Sequence, residues 1–144
     1  MSLIIDTDSI DYRFNKTLNE DAQLTSNIYG EWDILMIDGD YVNVTGVESL
    51  ANACVIAILT RYNELYHNQL YEKFGCRVHE LIKENSTNMN RYKMEVFITE
   101  TLTMMRRIKT VNSVNITESE PNKYLIQFDI TSINDETITG GLTI

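Results

Sequence analysis

Basic residues are scarce in this sequence: 12 Lys and Arg stand against 21 Asp and Glu, a formal net charge of −9. Nucleic-acid binders need a basic footprint to displace counterions from phosphates, and this chain does not carry one. The acidity favours solubility and basic partner surfaces and says little about fold. Long hydrophobic runs are also missing. No stretch approaches the ~20 apolar residues that cross a bilayer. The N-terminal run Leu3-Ile4-Ile5 stops at Asp6 with no basic residue ahead of it. No secretory signal is expected, and the chain is expected to be made and kept in a cytoplasm. The Asn-x-Ser/Thr matches at Asn43, Asn85 and Asn115 then read as chance products of a chain rich in Asn and Thr.

Cysteine and histidine are each present only twice. Cys54 and Cys76 are too few for a disulfide framework. Cys54 falls in an apolar helical pattern and reads as a small core hydrophobe. Cys76 follows Gly75 and lies near Arg77 and His79, which would lower a thiol pKa, but no second motif supports a reactive role. Cys76 and His79 offer at most two ligands of a four-ligand site, so no metal is expected. Asp38-Gly39-Asp40 starts like a calcium loop, yet its twelfth position is Ser49 instead of a bidentate Glu, and a strand precedes it. It reads as a turn. No Gly-x-Ser-x-Gly elbow or glycine-rich phosphate loop occurs. Glu95 with Glu100, and Glu118 with Glu120, read as solvated charge. No catalytic, cofactor-binding or metal-ligating residue is assigned.

What is present describes an ordinary globular chain. With 144 residues, 43% hydrophobic and 23% charged, the expectation is one domain with a real core. Residues 1–29 read as an extended arm with one strand near Ser9–Phe14, and 30–144 as the folded core. Ile34 to Ile37, after Trp32, form a strand closed by Asp38-Gly39-Asp40, and a second strand runs through Tyr41–Val44. Thr45 and Glu48 have capping-box spacing, and Val47, Leu50, Ala51, Cys54, Ile58 and Leu59 follow helical spacing to an end near Thr60–Tyr62. A Tyr- and Asn-rich connector leads to a short second helix from Phe74 to Lys83, where Val78, Leu81 and Ile82 are spaced i, i+3, i+4. After Ser86-Thr87-Asn88, a third helix covers about Met89 to Met105, with Tyr92, Val96, Phe97, Ile98, Leu102 and Met105 as its stripe. The period then changes to two. Val111, Val114 and Ile116 form a strand with a bulge at Asn112-Ser113, and Glu120 to Lys123 form a turn. Tyr124, Ile126, Phe128 and Ile130 give the cleanest strand. After a turn at Asn134-Asp135, Ile138, Leu142 and Ile144 form a last strand interrupted by Gly140-Gly141. The class is α+β: about three helices packed on an antiparallel, mainly C-terminal meander, with an extended N-terminal arm.

Three landmarks carry a resemblance: Gly46-Val47-Glu48-Ser49-Leu50, Ile58-Leu59-Thr60-Arg61-Tyr62, and Tyr71-Glu72-Lys73-Phe74-Gly75 followed by Leu81-Ile82. In this order they resemble the baseplate wedge or sheath-initiator family of contractile-tailed phages and phage-like particles, in the branch of Gram-positive phages and prophages. In that family a helix ends at a Leu-Thr pattern and an aromatic-Gly pair opens the next. A long helix then runs into an Arg-Ile motif, matched by Arg107 and Ile108, although the family's acidic residue and proline are absent. The resemblance spans about residues 30–133. It implies a structural protein of the inner baseplate, without catalysis or cofactor. The implied partners are the tail sheath protein, baseplate wedge proteins and neighbouring tail tube or hub proteins, with no nucleic acid and no membrane. The implied arrangement is several copies around a tail axis, monomeric alone, in a particle assembled in a bacterial cytoplasm. A sheath strand is expected to add to the edge formed by Ile138–Ile144. Interface candidates are Arg107, Ile108, Tyr62, Tyr66, Tyr71, Phe74, Gly75, Ile138 and Leu142, the tyrosines because they join an apolar body to a polar tip. Arg106, Arg107 and Lys109 suit the helix C-terminus, and Arg107 equally suits an inward fork onto a carboxylate or carbonyls. The competing readings are a small cell-wall hydrolase attached to a phage tail and a regulatory binding domain.

Overall fold

A computed structural model describes residues 20–26 and 31–144. The strand expected near Ser9–Phe14, and most of the expected arm, lie outside the described residues. The fold is α+β and divides into two compact units, Met1–Asn52 and Ala53–Ile144.

The first unit is built from short antiparallel ladders. β1 (Glu20–Ala22) pairs with β6 (Asn43–Thr45), β2 (Leu24–Ser26) with β3 (Trp32–Ile34), and β4 (Met36–Ile37) with β5 (Asp40–Tyr41). Each long stretch changes partner at one residue: Gln23, Leu35 or Val42. These three close a ring of backbone bonds: Gln23 N–H donates to Val42 O, Leu35 N–H to Gln23 O, and Val42 N–H to Leu35 O. The strands expected at Ile34–Ile37 and Tyr41–Val44 are therefore each split in two. Asp38 and Gly39 both have positive φ, 53° and 80°, the backbone of a type I′ hairpin turn. Ile34, Met36, Ile37 and Tyr41 remain exposed around that hairpin.

Helix α1 (Val47–Leu59) spans the division between the units. Its expected N-cap, Thr45, is the last residue of β6 instead. Gly46, at φ 63°, turns the chain, and its carbonyl accepts the first helical bond from Leu50 N–H. The Asn52 side chain donates to Ala22 O at 3.0 Å, tying this end of the helix to β1.

In the second unit the chain leaves α1 through a compact connector and a 3₁₀ turn at Arg77–Glu80. It then forms helix α2 (Asn88–Thr103) and the meander of β7 (Ile108–Glu120), β8 (Lys123–Ser132) and β9 (Thr137–Thr143). Among the described residues two α-helices thus stand where three were expected. Phe74 to Lys83 is no helix because Gly75 sits at φ 114° and Cys76 is extended, which leaves a segment too short to nucleate one. The meander holds three of the nine strands among the described residues, and the other six precede α1. None of the described helices is long and apolar enough to cross a membrane.

Helix α2 starts at Thr87, whose hydroxyl accepts from Asn90 N–H at 3.1 Å. Its buried row is Met94, Ile98 and Leu102, narrower than the expected stripe; Tyr92 is 63% exposed. A helix resting on one strand needs only an i, i+4, i+8 row, and α2 lies on β7. Tyr124, Ile126, Phe128 and Ile130 are all buried, worth roughly 1.5–3 kcal/mol each for an apolar side chain removed from water. β7 carries register shifts at three places, including the expected one between Val111 and Ser113. β9 is not interrupted. Gly140 pairs with Phe128, and a Cβ there would stand 2.5 Å from that ring. The glycine makes room for the core aromatic and leaves the strand intact.

Candidate interaction surfaces

The connector from Thr60 to Cys76 is a closed loop. Its ends are stapled by a parallel bridge between Arg61 and Cys76: Cys76 N–H donates to Thr60 O, and Tyr62 N–H to Cys76 O. Asn63 N–H adds a bond to Phe74 O. Between the staples the backbone coils through successive i to i+3 bonds, from Glu64 N–H to Arg61 O as far as Phe74 N–H to Tyr71 O. Such a loop is fixed in shape although its one helical piece is a 3₁₀ turn at Gln69–Tyr71. Gly75 permits the closure. At φ 114°, a Cβ would stand 2.4 Å from the Arg61 carbonyl oxygen, in contact with backbone that cannot swing away.

A groove runs beside that closure. One lobe, of about 270 Å³, is lined by Ala57, Lys73, Phe74, Gly75, Met104 and Met105. A second, of about 160 Å³, is lined by Tyr62, Arg77, Phe97 and Glu100, and it shares Gly75, Thr101 and Met104 with the first. The Arg77 guanidinium lies 4.5 Å above the Tyr62 ring, which holds both groups in place. Thr101 Oγ1 donates to Phe97 O at 2.9 Å and to Gly75 O at 3.3 Å, joining α2 to the loop. Tyr71 meets Phe74 edge-on at 5.8 Å, and Tyr66 stacks against His67 at 3.9 Å. Tyr66 and Tyr71 are 59% and 45% exposed. The structure thus gathers Tyr62, Phe74 and Gly75 at the groove and leaves Tyr66 and Tyr71 on the loop's outer side.

Arg107 and Ile108 lie elsewhere, where α2 passes into β7. Arg106 and Arg107 sit in the turn after the helix, and Lys109 is already in β7. Arg107 is half-buried, and its positive charge reaches the buried Cys54 thiol. Its carbonyl accepts from Ile133 N–H, which fastens the junction to the β8–β9 turn. Ile108 is 8% exposed. Lys109 bridges to Asp135 at 2.6 Å on the surface, a contact of the kind worth under ~1 kcal/mol.

The edge of the meander has a definite hydrogen-bonding face. Tyr124 and Ile144 exchange both backbone bonds, and Ser132 N–H donates to Glu136 O. Antiparallel pairs alternate along a ladder, so the even-numbered Ile138, Gly140 and Leu142 turn their backbone groups toward β8. Thr137, Thr139, Gly141 and Thr143 turn theirs outward. Among the described residues, no strand pairs on that side of β9. Ile138 and Leu142 have their side chains buried in the core face. What β9 offers a partner is therefore backbone from the odd-numbered residues. Sequence reasoning missed these threonines because their parity follows from register, and no local pattern marks it. It also missed Arg77, Thr101 and Met104, whose places at the groove depend on the loop folding against α2; the adjacent pair Met104-Met105 was the sequence signal.

Burial governs the two thiols near these surfaces. Burial pushes the Cys54 thiol up to about 12, with the Arg107 charge pulling the other way. Burial raises the Cys76 thiol too, against the pull of a hydrogen bond with Thr101. His79 Nε2 lies 2.9 Å from Ile58 O, holding the 3₁₀ turn to α1. Among the described residues, no three His, Cys, Asp or Glu side chains gather to hold a metal ion.

Three comparisons with known proteins bear on these surfaces. A family model described as contractile injection system sheath initiator matches residues 1–135. A solved chain from Geobacter sulfurreducens, described as a putative tail lysozyme, has the same fold at a TM-score of 0.57. It is 19% identical over 67% of this chain and 87% of that one. No curated protein matches the sequence.

Proposed function

The chain belongs to the sheath-initiator family of contractile injection systems, and from that premise we propose that it links baseplate wedge proteins to the first sheath ring and starts sheath assembly by accepting a strand at β9. Membership of the family carries a structural role in the baseplate of a contractile tail. In this reading several copies surround the tail axis of a phage, tailocin or related particle assembled in a bacterial cytoplasm. The loop groove and the Arg107–Ile108 junction face the wedge side. Tyr66 and Tyr71 contribute further contact area there.

The observation that carries the reading is the asymmetry of the sheet's two edges. β7 is broken by three register shifts, the usual protection of an edge against strand addition. β9 pairs without a shift and turns the backbone of Thr137, Thr139, Gly141 and Thr143 outward. Each of these residues offers one N–H and one C=O. Hydrogen bonds worth ~0.5–1.5 kcal/mol net each must offset an ordering cost of roughly 1–2 kcal/mol per residue of the incoming strand. One copy alone therefore holds a strand weakly, and a ring of copies holds the sheath by multivalency.

Electron microscopy of the intact particle tests the placement. The expected density puts this chain between the wedge and the first sheath ring, with an extra strand beside β9. A particle whose baseplate lacks the chain, or in which β9 faces solvent after sheath assembly, contradicts it.

A further inference from the structure

On the outer face of the sheet, β8 from Leu125 to Thr131 and β9 from Thr137 to Thr143 carry a single charged residue, Asp129. Its Oδ1 is buried and has no hydrogen-bond partner. A carboxylate oxygen withdrawn from water without a donor is costly, and such an atom calls for a partner. Asp129 lies opposite Ser113 on β7 and Thr139 on β9, and neither supplies a positive charge. The nearest lysines along these strands are engaged at the sheet's ends, Lys109 with Asp135 and Lys123 with Glu120.

We propose that the strand accepted by β9 carries a Lys or Arg on its outward face, which reaches across the edge to the unpartnered oxygen of Asp129. The proposal rests on strand addition at β9 and specifies the chemistry of what is added. An incoming strand lies two strand spacings from β8, roughly 9.5 Å. The long flexible stem of Lys, or the longer one of Arg, together with the short arm of the Asp129 carboxylate, is of the length that distance requires. β9's own row of side chains has one gap. In the outward row of β9, Thr137, Thr139 and Thr143 carry side chains and Gly141 does not. A Cβ at Gly140 would meet the Phe128 ring, and one at Gly141 would stand 3.1 Å from the Ile126 carbonyl oxygen and 3.7 Å from Gln127 Cγ. Gly141 sits diagonal to Asp129 across the β8–β9 pairing, so a cation passing over it meets no side chain of β9. The alternate positions of the same strand lie beside Ile138, Gly140 and Leu142 on the core face and call for apolar residues. The partner strand is then alternating, apolar inward and polar outward, with one cation at the centre. The net charge of −9 draws such a strand from a distance.

A tethered strand tests this without knowledge of the natural partner. The full chain is extended after Ile144 by a flexible Gly/Ser linker of about eight residues and an alternating Val/Thr octapeptide. The octapeptide carries Lys, Gln or Glu at its central outward position. Amide hydrogen exchange is read at Thr137, Thr139, Gly141 and Thr143, with the inward amides of Ile126 and Phe128 reporting that the fold is intact. The expected result is protection of the outward amides in the order Lys, Gln, Glu, with at least about a threefold slowing for Lys over Gln, as a close ion pair gives. In Asp129→Asn the Lys advantage disappears. If Asp129→Asn disturbs the fold, an octapeptide on the unaltered chain with its Lys moved to a terminal outward position decides the matter: it has the same charge, and the Lys advantage is lost if Asp129 is the partner and kept if net charge alone is at work. Equal protection by all three strands overturns the Asp129 pairing and leaves strand addition standing. No protection from any strand overturns strand addition itself, and the pairing with it.

Discussion

Cys54 shows how burial sets chemistry at a single residue. It has no exposed surface on α1, and its thiol is pushed from 9.0 to about 12, chiefly by desolvation. A thiol kept neutral in the folded state stabilises fully below pH 9, where the unfolded thiol is neutral too. Between pH 9 and 12 the unfolded chain loses a proton that the folded chain keeps, so stability falls as pH rises. The expected slope from this residue is on the order of 1 kcal/mol per pH unit. Denaturant melts of the parent and of Cys54→Ala from about pH 8 to about pH 11 check it: the alkaline decline becomes shallower in the variant, and parallel curves contradict the assignment. The helical spacing around Cys54 made its burial legible in the sequence. The neighbourhood of Cys76 was not legible in the same way. Arg77 and His79 stand close to it in sequence, yet one lies over the Tyr62 ring and the other reaches the Ile58 carbonyl. Proximity along the chain predicts electrostatic influence only when the backbone keeps side chains on one side.

Among the elements, those whose signal is periodic were readable and those fixed by closure were not. β8 announced itself because Tyr124, Ile126, Phe128 and Ile130 alternate and all four are buried. Helix α1 did so through its apolar spacing. The partner changes at Gln23, Leu35 and Val42 left no local pattern, since each is decided by backbone bonds to a distant segment. Phe74 to Lys83 imitated a helix through Val78, Leu81 and Ile82, but the loop closure at Gly75 takes precedence over a propensity that short. The connector therefore stands or falls with that closure. Gly75→Ala puts a Cβ against the Arg61 carbonyl at a backbone angle that L side chains rarely adopt. The expected loss is roughly 2–4 kcal/mol if the loop stays closed; otherwise the staples open. Thermal melts with amide exchange at Tyr62 and Cys76 distinguish these outcomes. A variant as stable as the parent, with both amides still protected, shows that the closure is not under steric control.

For the whole molecule, the candidate residues sort by what they can present. Tyr62, Phe74 and Gly75 form a shaped groove, and Tyr66 and Tyr71 form an exposed rim on the loop. Ile138 and Leu142 look inward and support an edge whose contact groups belong to their neighbours. The edge was visible in the sequence as a final strand. Its working residues were not, because one position of register exchanges inward for outward. That parity gives a sharp test of strand addition at β9. Thr139 sends its N–H away from β8, so Thr139→Pro removes a donor to an incoming strand and no bond of the meander, an edge position where proline is tolerated. Ile138→Pro, one residue away, breaks the bond to Ile130 and serves as the control for a damaged fold. The decisive measurement is sheath assembly on baseplates carrying Thr139→Pro, followed by electron microscopy. The variant is expected to fold, enter the baseplate and nucleate no first sheath ring. Sheath rings forming on those baseplates at the parent's rate would contradict it.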